Sequence, residues 1–286
     1  MAREKPASTD DASKNFRILS HANGTATLVD AENDQAMHSR IGPSLEARLV
    51  YADRARVEER LVDGRSAQVL YDVGMGTGAN VVATLERIRA KAGACGRLEV
   101  FSFESKPDGL RVALEHLDAF PILIDWVPHL RELLAKSETA FRVGDVEVRW
   151  RLVVGDFRER IADAPAPDTI FYDFYSPKVV PELWSLEGFA RLREKIGDGD
   201  GALYTYSAAT PVRLHLLAAG FFVGAGASTG VKNETTIAAS RFERLPEPLG
   251  REWLRKLDAS ASIAGEAFAD AKRKALASVQ WARVSG

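Results

Sequence analysis

The sequence predicts an α/β protein built on a doubly wound, mainly parallel sheet of seven strands, the last two forming an antiparallel hairpin. Three observations carry this. β-Branched apolar runs alternate with helical patterns from residue 68 to residue 219. The first run, Gln68-Val69-Leu70-Tyr71-Asp72-Val73, ends in an acid and then Gly74, Gly76 and Gly78 at alternate positions, before a helical pattern opens at Asn80. The final two runs are joined through Gly230 by a connection too short for a crossover helix, so they should pair antiparallel.

Residues 1–14 are polar and are expected to fray. Residues 15–62 read as a preface packed on the core. Thr25–Asp30 suits a short hairpin strand, and Ser44–Tyr51 has helical spacing with Ser44 as its N-cap. The main domain spans 63–240. Strands are expected near 68–73, 98–103, 147–154, 169–173, 201–206, 221–227 and 235–240, and helices over 80–92, 108–119, 128–136, 182–196 and 211–219. The stretch 104–146 is long for one crossover, and an extra helix with a turn at Gly144-Asp145 would account for it. Residues 241–286 form a C-terminal helical extension, with helical segments at 252–257 and 266–279. It holds nine Lys and Arg against six acids. Its densest basic run, Lys272-Arg273-Lys274, is either a solvated helix face or a contact for nucleic-acid phosphates.

Composition narrows the classes. Apolar residues make up 46% of the 286 and charged residues 27%, an ordinary globular balance with enough chain for a substantial core. The net charge of −2 carries no global nucleic-acid signature. The single cysteine, Cys95, forms no internal disulfide, which suits a reducing compartment. No signal-peptide core and no long apolar span are present, so a cytoplasmic protein without a membrane segment is expected. The five histidines lack metal-ligand spacing, and no nucleophilic Ser or Cys arrangement stands out.

The strand–glycine–helix unit carries the chemistry. Glycines there adopt backbone angles closed to other residues and let a ligand touch the main chain, at the carboxyl end of the first strand. A tight turn with no ligand is the plain alternative. Gly74-x-Gly76-x-x-Ala79 also fits the loose dinucleotide fingerprint, which would make an NAD-linked enzyme. Two details weigh against that. Asp72 precedes the turn in the pattern acid-x-Gly-x-Gly-x-Gly, where it can meet the amino-acid end of S-adenosylmethionine directly or through water. Glu104, the next strand-end acid, lies 28 residues past Gly76, whereas the dinucleotide pattern places its acid about 20 residues on. Seven strands closing in a reversed hairpin is the arrangement of the class I methyltransferase Rossmann-like fold.

Four acids end successive strands, where an open α/β sheet places its site. Asp72 ends the first. Glu104 ends the second and can hold both ribose hydroxyls with its two oxygens. Asp156 follows Gly155, where a carboxylate accepts from the exocyclic amine of adenine with Phe157 packed nearby. Asp173 faces the place where a methyl acceptor enters. The loop after it, Phe174-Tyr175-Ser176-Pro177-Lys178, is stiffened by Pro177 and Pro181, and Tyr175 can wall a pocket. Lys178 either meets a phosphate or is simply exposed. Trp184, beside Leu183 and Phe189, reads as core. Tyr206 ends the fifth strand and its hydroxyl can orient the acceptor. Lys232 lies in the hairpin tip Ser228–Glu234 near the same rim.

These motifs resemble the methyltransferase half of the bifunctional MnmC enzymes, which finish the methylaminomethyl group on wobble uridine of some tRNAs. The family's glycine loop is similar to Gly74-Met75-Gly76-Thr77-Gly78-Ala79-Asn80, and its Phe-Glu-Lys-Phe-Pro segment to Phe103-Glu104-Ser105-Lys106-Pro107. Its Gly-Asp pair matches Gly155-Asp156, and its Asp-Gly-Phe-x-Pro loop with a downstream Trp resembles Asp173–Pro177 and Trp184. Ser44–Tyr51 and Tyr204–Ala208 also have counterparts. The likeness runs over roughly residues 20–240. It implies S-adenosyl-L-methionine as cofactor, held by Asp72, Gly74, Gly76, Gly78, Asn80, Glu104, Asp156 and Phe157. It implies Asp173 as the catalytic residue, and Tyr175, Pro177, Lys178, Tyr206 and Lys232 as substrate-binding residues, with no metal. The implied acceptor is the aminomethyl group of a tRNA uridine, with a small molecule or a non-catalytic nucleotide-binding role as the alternatives. Phe174 replaces the family's glycine, and Gly230-Val231-Lys232-Asn233-Glu234 carries less charge than its Gly-Arg-Lys-Arg-Glu hairpin. The oxidase half has no counterpart here, so a standalone member with a separate oxidase partner is expected. The sequence sets no oligomeric state.

Overall fold

The computed structural model describes residues 15–62, 67–230 and 234–284. Residues 1–14 and Lys232 lie outside the described residues. The preface opens as a three-stranded antiparallel sheet of β1 (Phe16–Ser20), β2 (Ala26–Asp30) and β3 (Gln35–Ala36). A helical turn, Pro43–Glu46, then runs straight into a wider π turn, Ala47–Ala52. This turn is entered through Gly42 at φ 84°, with Pro43 in its first position. Proline's fixed φ suits that position, so Ser44 falls inside the turn and is not its cap.

Among the described residues the main sheet has eight strands: β4 (Ala67–Val73), β5 (Cys95–Glu104), β6 (Glu138–Val143), β7 (Asp145–Val154), β8 (Thr169–Tyr172), β9 (Ala202–Thr205), β10 (Phe222–Ala225) and β11 (Thr236–Ala239). Their spatial order is β10-β11-β9-β8-β4-β5-β7-β6. The pairs β4–β5, β4–β8, β5–β7 and β8–β9 are parallel. Strand β11 lies antiparallel between β9 and β10, so the final hairpin folds back into the sheet as expected. The strand order reverses on the two sides of β4, which puts the ligand crevice outside its carboxyl end.

The sequence reading misses β6. The 104–146 stretch does hold helices, at Asp108–Glu115 and Val127–Lys136 with a 3-10 turn at Pro121–Trp126. Past Ser137, which takes a left-handed φ of 61°, the chain turns into an edge strand paired antiparallel with β7. Thr139 and Val143 point inward from it. Gly144, at φ 58°, makes the turn of this hairpin. The expected helix 182–196 is also divided. A 3-10 turn at Pro181–Trp184 is separated from the helix Leu186–Ile196 by Ser185, whose Oγ accepts from the Gly188 N–H at 3.1 Å.

Because side chains alternate along a strand, neighbours on β4 enter different cores. Leu70 packs with Val81, Leu85, Leu98 and Trp150 on one face. Tyr71 packs with Phe103, Ile170, Phe189 and Leu217 on the other. Burial on both faces explains why these strands read as continuous apolar runs. The C-terminal extension joins the second core through Trp253, Leu257 and Trp281. Its basic run lies on the helix Ala269–Leu276, where Arg273 and Lys274 both pair with Asp270. Among the described residues no helix is long and apolar enough to cross a membrane.

Gln280 ties this extension to the sheet. It is fully buried, its Oε1 accepts from Val223 N at 2.6 Å, and its Nε2 donates to Val223 O and Leu249 O, each at 2.9 Å. Replacement by alanine removes the partner of two buried main-chain groups, Val223 N and Leu249 O, while Val223 O keeps the Leu249 N–H at 2.9 Å. Gln280→Ala is expected to cost about 2–4 kcal/mol of stability. Denaturant unfolding checks the loss, and faster amide exchange in 241–284 checks that the extension loosens first.

Candidate active site

A cavity of about 890 Å³ opens at the carboxyl ends of β4, β5, β7 and β8, and the preface forms one of its walls. Gly74 and Gly76 line it at φ 85° and 53°. Gly74 is needed for a second reason: a Cβ there would lie 2.6 Å from the Asp173 carbonyl oxygen. Only a glycine lets the loop after β4 pass this close to the loop after β8. Gly78, at φ 81°, precedes the helix Ala79–Ala90 and lies outside the cavity wall.

Of the four strand-end acids, three line the cavity. Glu104 accepts from Gly76 N at 3.2 Å through Oε2 and from Lys106 N at 3.2 Å through Oε1. Burial raises its pKa against these bonds. Asp156 caps the turn Phe157–Arg160, accepting from Arg158 N at 2.8 Å, and also forms an ion pair with the Arg158 guanidinium. That pair holds its pKa below the usual carboxylate range. Phe157 lines the wall edge-on to Phe103, with ring centroids 4.9 Å apart. Asp173 lines it as well, its main chain fixed by donation from its N–H to Val73 O at 2.9 Å. Asp72 is different. It is fully buried and not part of the wall. Its Oδ2 accepts from Ser102 Oγ at 2.7 Å, Ser102 Oγ accepts in turn from Trp150 Nε1 at 2.9 Å, and Asp72 Oδ1 has no partner among the described residues. Burial pushes its pKa up to about 7.

Asn80 turns toward another group than its place in the glycine loop suggests. Its Nδ2 donates to Asp173 Oδ2 at 2.9 Å. Tyr51, fully buried in the π turn, lies beneath the same carboxylate. Burial and then Asp173 keep its phenol protonated.

Tyr175 and Tyr206 line the cavity, whereas Pro177 and Lys178 do not. Tyr206 donates to Phe174 O at 3.1 Å, and Trp184 donates from the core to Tyr175 O at 2.9 Å. Phe174 itself lines the cavity and stands edge-on to Tyr172 at 5.2 Å.

The preface contributes what the sequence reading did not see. Gln35 Nε2 donates to Ser176 Oγ at 2.9 Å, and Ser176 N donates back to Gln35 Oε1 at 3.2 Å. Asp30 holds the Tyr175 hydroxyl by a hydrogen bond. Glu46, 8% exposed, lines the cavity and accepts from Ser39 N at 3.0 Å and from the Ser39 hydroxyl, both on Oε2. His38 beside it is buried, which lowers its pKa and keeps it neutral. These contacts span up to 141 residues, and periodicity carries no trace of them. Among the described residues, nine that line it are Asp or Glu, and only Lys106 and Arg158 are Lys or Arg. Among the described residues no group of three His, Cys, Asp or Glu side chains is placed to hold a metal.

A family model described as S-adenosyl-L-methionine-dependent methyltransferase matches residues 126–241. The tRNA 5-methylaminomethyl-2-thiouridine biosynthesis bifunctional protein MnmC of Burkholderia vietnamiensis is 31% identical over 202 residues, covering 68% of this chain. The protein of the same name from Aeromonas hydrophila is 29% identical over 263 residues, covering 85%. This chain carries an MnmC-type methyltransferase domain. It spans 31% and 38% of the length of those two relatives. The crystal structure of MNMC2 from Aquifex aeolicus shares the fold of this MnmC-type domain. The TM-score is 0.65 at 24% identity, over 91% of this chain and 84% of that one. The domain is therefore an S-adenosylmethionine-dependent methyltransferase.

Asp72 generates a pH prediction for the ligand-free protein. Its folded pKa, about 7, lies above the ordinary value of 3.8. The folded state therefore binds the proton more tightly, and this contribution to stability is lost as pH rises between these values. Asp72→Asn mimics the protonated form. The variant should match the wild type near pH 4 and exceed it by up to a few kcal/mol by pH 8, as read by denaturant unfolding across that range.

Proposed function

We propose that this domain methylates a primary-amine nitrogen, and that the amine is the aminomethyl group of a wobble uridine in tRNA. The observation that carries the chemistry is Asp173, a carboxylate in the wall of a cavity that also exposes the glycine loop and Glu104. The names of the MnmC relatives supply the tRNA acceptor. Bound S-adenosylmethionine supplies an electrophilic methyl group on a sulfonium.

The residues present fit that cofactor. Glu104 offers two carboxylate oxygens to ribose hydroxyls, and Gly74 and Gly76 offer main chain without side-chain obstruction. Phe157 offers a ring to adenine, and Asp156 accepts from its amine while also holding Arg158. Asp72 adds a buried carboxyl group behind the glycine loop. An acid-rich wall suits a cationic ligand. At the acceptor end Asp173 accepts hydrogen bonds from the incoming ammonium and takes a proton from it, directly or through water, so that the nitrogen lone pair is free to attack. Tyr206 and Tyr175 border the acceptor. Alignment of this kind is worth about 7–11 kcal/mol in favourable cases.

Two observations favour a second acceptor. The strongly acidic lining and Phe174, in the position of the family's glycine, suit a small cationic amine better than a phosphate-rich polymer. Labelled S-adenosylmethionine with tRNA from cells lacking wobble-uridine methylation separates the two. Label on a wobble nucleoside supports the tRNA acceptor; cofactor binding without transfer moves the acceptor to a small amine.

The roles divide in mutants. Glu104→Ala should weaken S-adenosylhomocysteine binding at least tenfold, about 1.4 kcal/mol or more. Asp173→Ala should lower kcat by roughly 10²–10⁴ while leaving that binding within about twofold. Equal losses of binding would contradict the division. Glu46→Gln should raise the acceptor KM by about tenfold with kcat nearly kept, since Glu46 Oε1 accepts no hydrogen bond from the described residues.

A further inference from the structure

Asn80 is the second residue of the helix Ala79–Ala90 and is 3% exposed. Its Nδ2 meets Asp173 Oδ2 at 2.9 Å. Chemistry dictates this orientation, because an amide oxygen turned to a carboxylate would set two acceptors face to face. The orientation has a cost. Asn80 Oδ1 is left buried with no hydrogen-bond partner among the described residues, a loss of order 1–3 kcal/mol for a desolvated acceptor. A fold that tolerates an unpaired carbonyl here retains the side chain for its donor. The backbone is constrained in parallel, since Gly74 packs directly on the Asp173 carbonyl. The carboxylate is thus held by its main chain on one side and by Oδ2 on the other.

We infer that Asn80 is a positioning residue for methyl transfer, whose amide keeps the Asp173 carboxylate ionised and oriented toward the acceptor and does not bind the cofactor. The inference rests on the proposed function for the role of Asp173, but its decisive readout needs no acceptor. Among the described residues, the titratable groups that act on Asp173 include Tyr51 in the π turn, Tyr206 after β9 and Asp72 at the end of β4. Glu46 acts on the same two tyrosines, and Glu104 on Asp72. Both tyrosines are protonated through the neutral range because burial and these carboxylates raise their pKa values. The Asn80 amide is a neutral donor, so its removal changes no net charge.

The test is a carboxyl-carbon NMR titration of protein labelled at aspartate ¹³Cγ, with the Asp173 signal identified by its loss in Asp173→Asn. In Asn80→Ala the Asp173 midpoint should rise by about one unit, a tenfold change in the proton equilibrium. In Asn80→Asp, which preserves shape and serves if the alanine variant fails to fold, two carboxyls share the site. They should then titrate in two coupled steps, one well above the wild-type midpoint. Where an acceptor is in hand, the acid limb of the kcat–pH profile of Asn80→Ala should move up by the same one unit, with S-adenosylhomocysteine affinity within about twofold of wild type. A purely structural asparagine would lower kcat equally at every pH. An unchanged Asp173 midpoint, or cofactor affinity that falls in step with kcat, overturns the inference. Absence of label on tRNA would overturn the acceptor assignment alone.

Discussion

The site depends on one close contact, the passage of Gly74 against the Asp173 carbonyl. Parallel neighbours β4 and β8 end side by side, and their loops must diverge or touch. Here they touch, because a hydrogen atom stands where a Cβ would lie 2.6 Å from oxygen. The contact brings the glycine loop and the Asp173 carboxylate within reach of each other. It also sets the start of the helix Ala79–Ala90 so that Asn80 reaches Asp173. A larger residue at 74 would separate all three.

Electrostatics then distinguishes carboxylates that look alike along the chain. Asp72 lies deep in the sheet and pays for its charge, so it titrates near neutrality. Glu104 is also raised by burial but is met by main-chain donors. Asp156 is drawn the other way by Arg158. The environments separate a carboxyl group buried behind the glycine loop from those that line the cavity, a distinction that strand-end position alone does not make.

Much of the fold is legible from local pattern. The glycine loop, the strand-end acids and the short final connection each follow from main-chain stereochemistry, and together they specify a mainly parallel sheet with a reversed final hairpin and the end that carries the site. Strand β6 is less visible because it is a short edge strand that follows a helix without a glycine or proline break; only Gly144, at its far end, marks the hairpin. Asn80 reads from sequence as part of a cofactor loop, since its partner lies 93 residues away. The preface wall is equally hidden: Gln35, His38 and Glu46 are polar residues in a segment whose apolar pattern announces only packing. What local pattern cannot disclose is which distant loop a polar side chain will meet.

The paired bonds between Gln35 and Ser176 have a consequence for how the protein is made. They join positions 141 residues apart. During synthesis the N-terminal sheet emerges long before the loop it must hold. For that interval its polar edge has no counterpart, and the binding chamber has no far wall. The chamber is therefore among the last features to be completed. Acquisition of cofactor affinity by a nascent or refolding chain would mark the end of assembly, a step that secondary structure alone would not reveal.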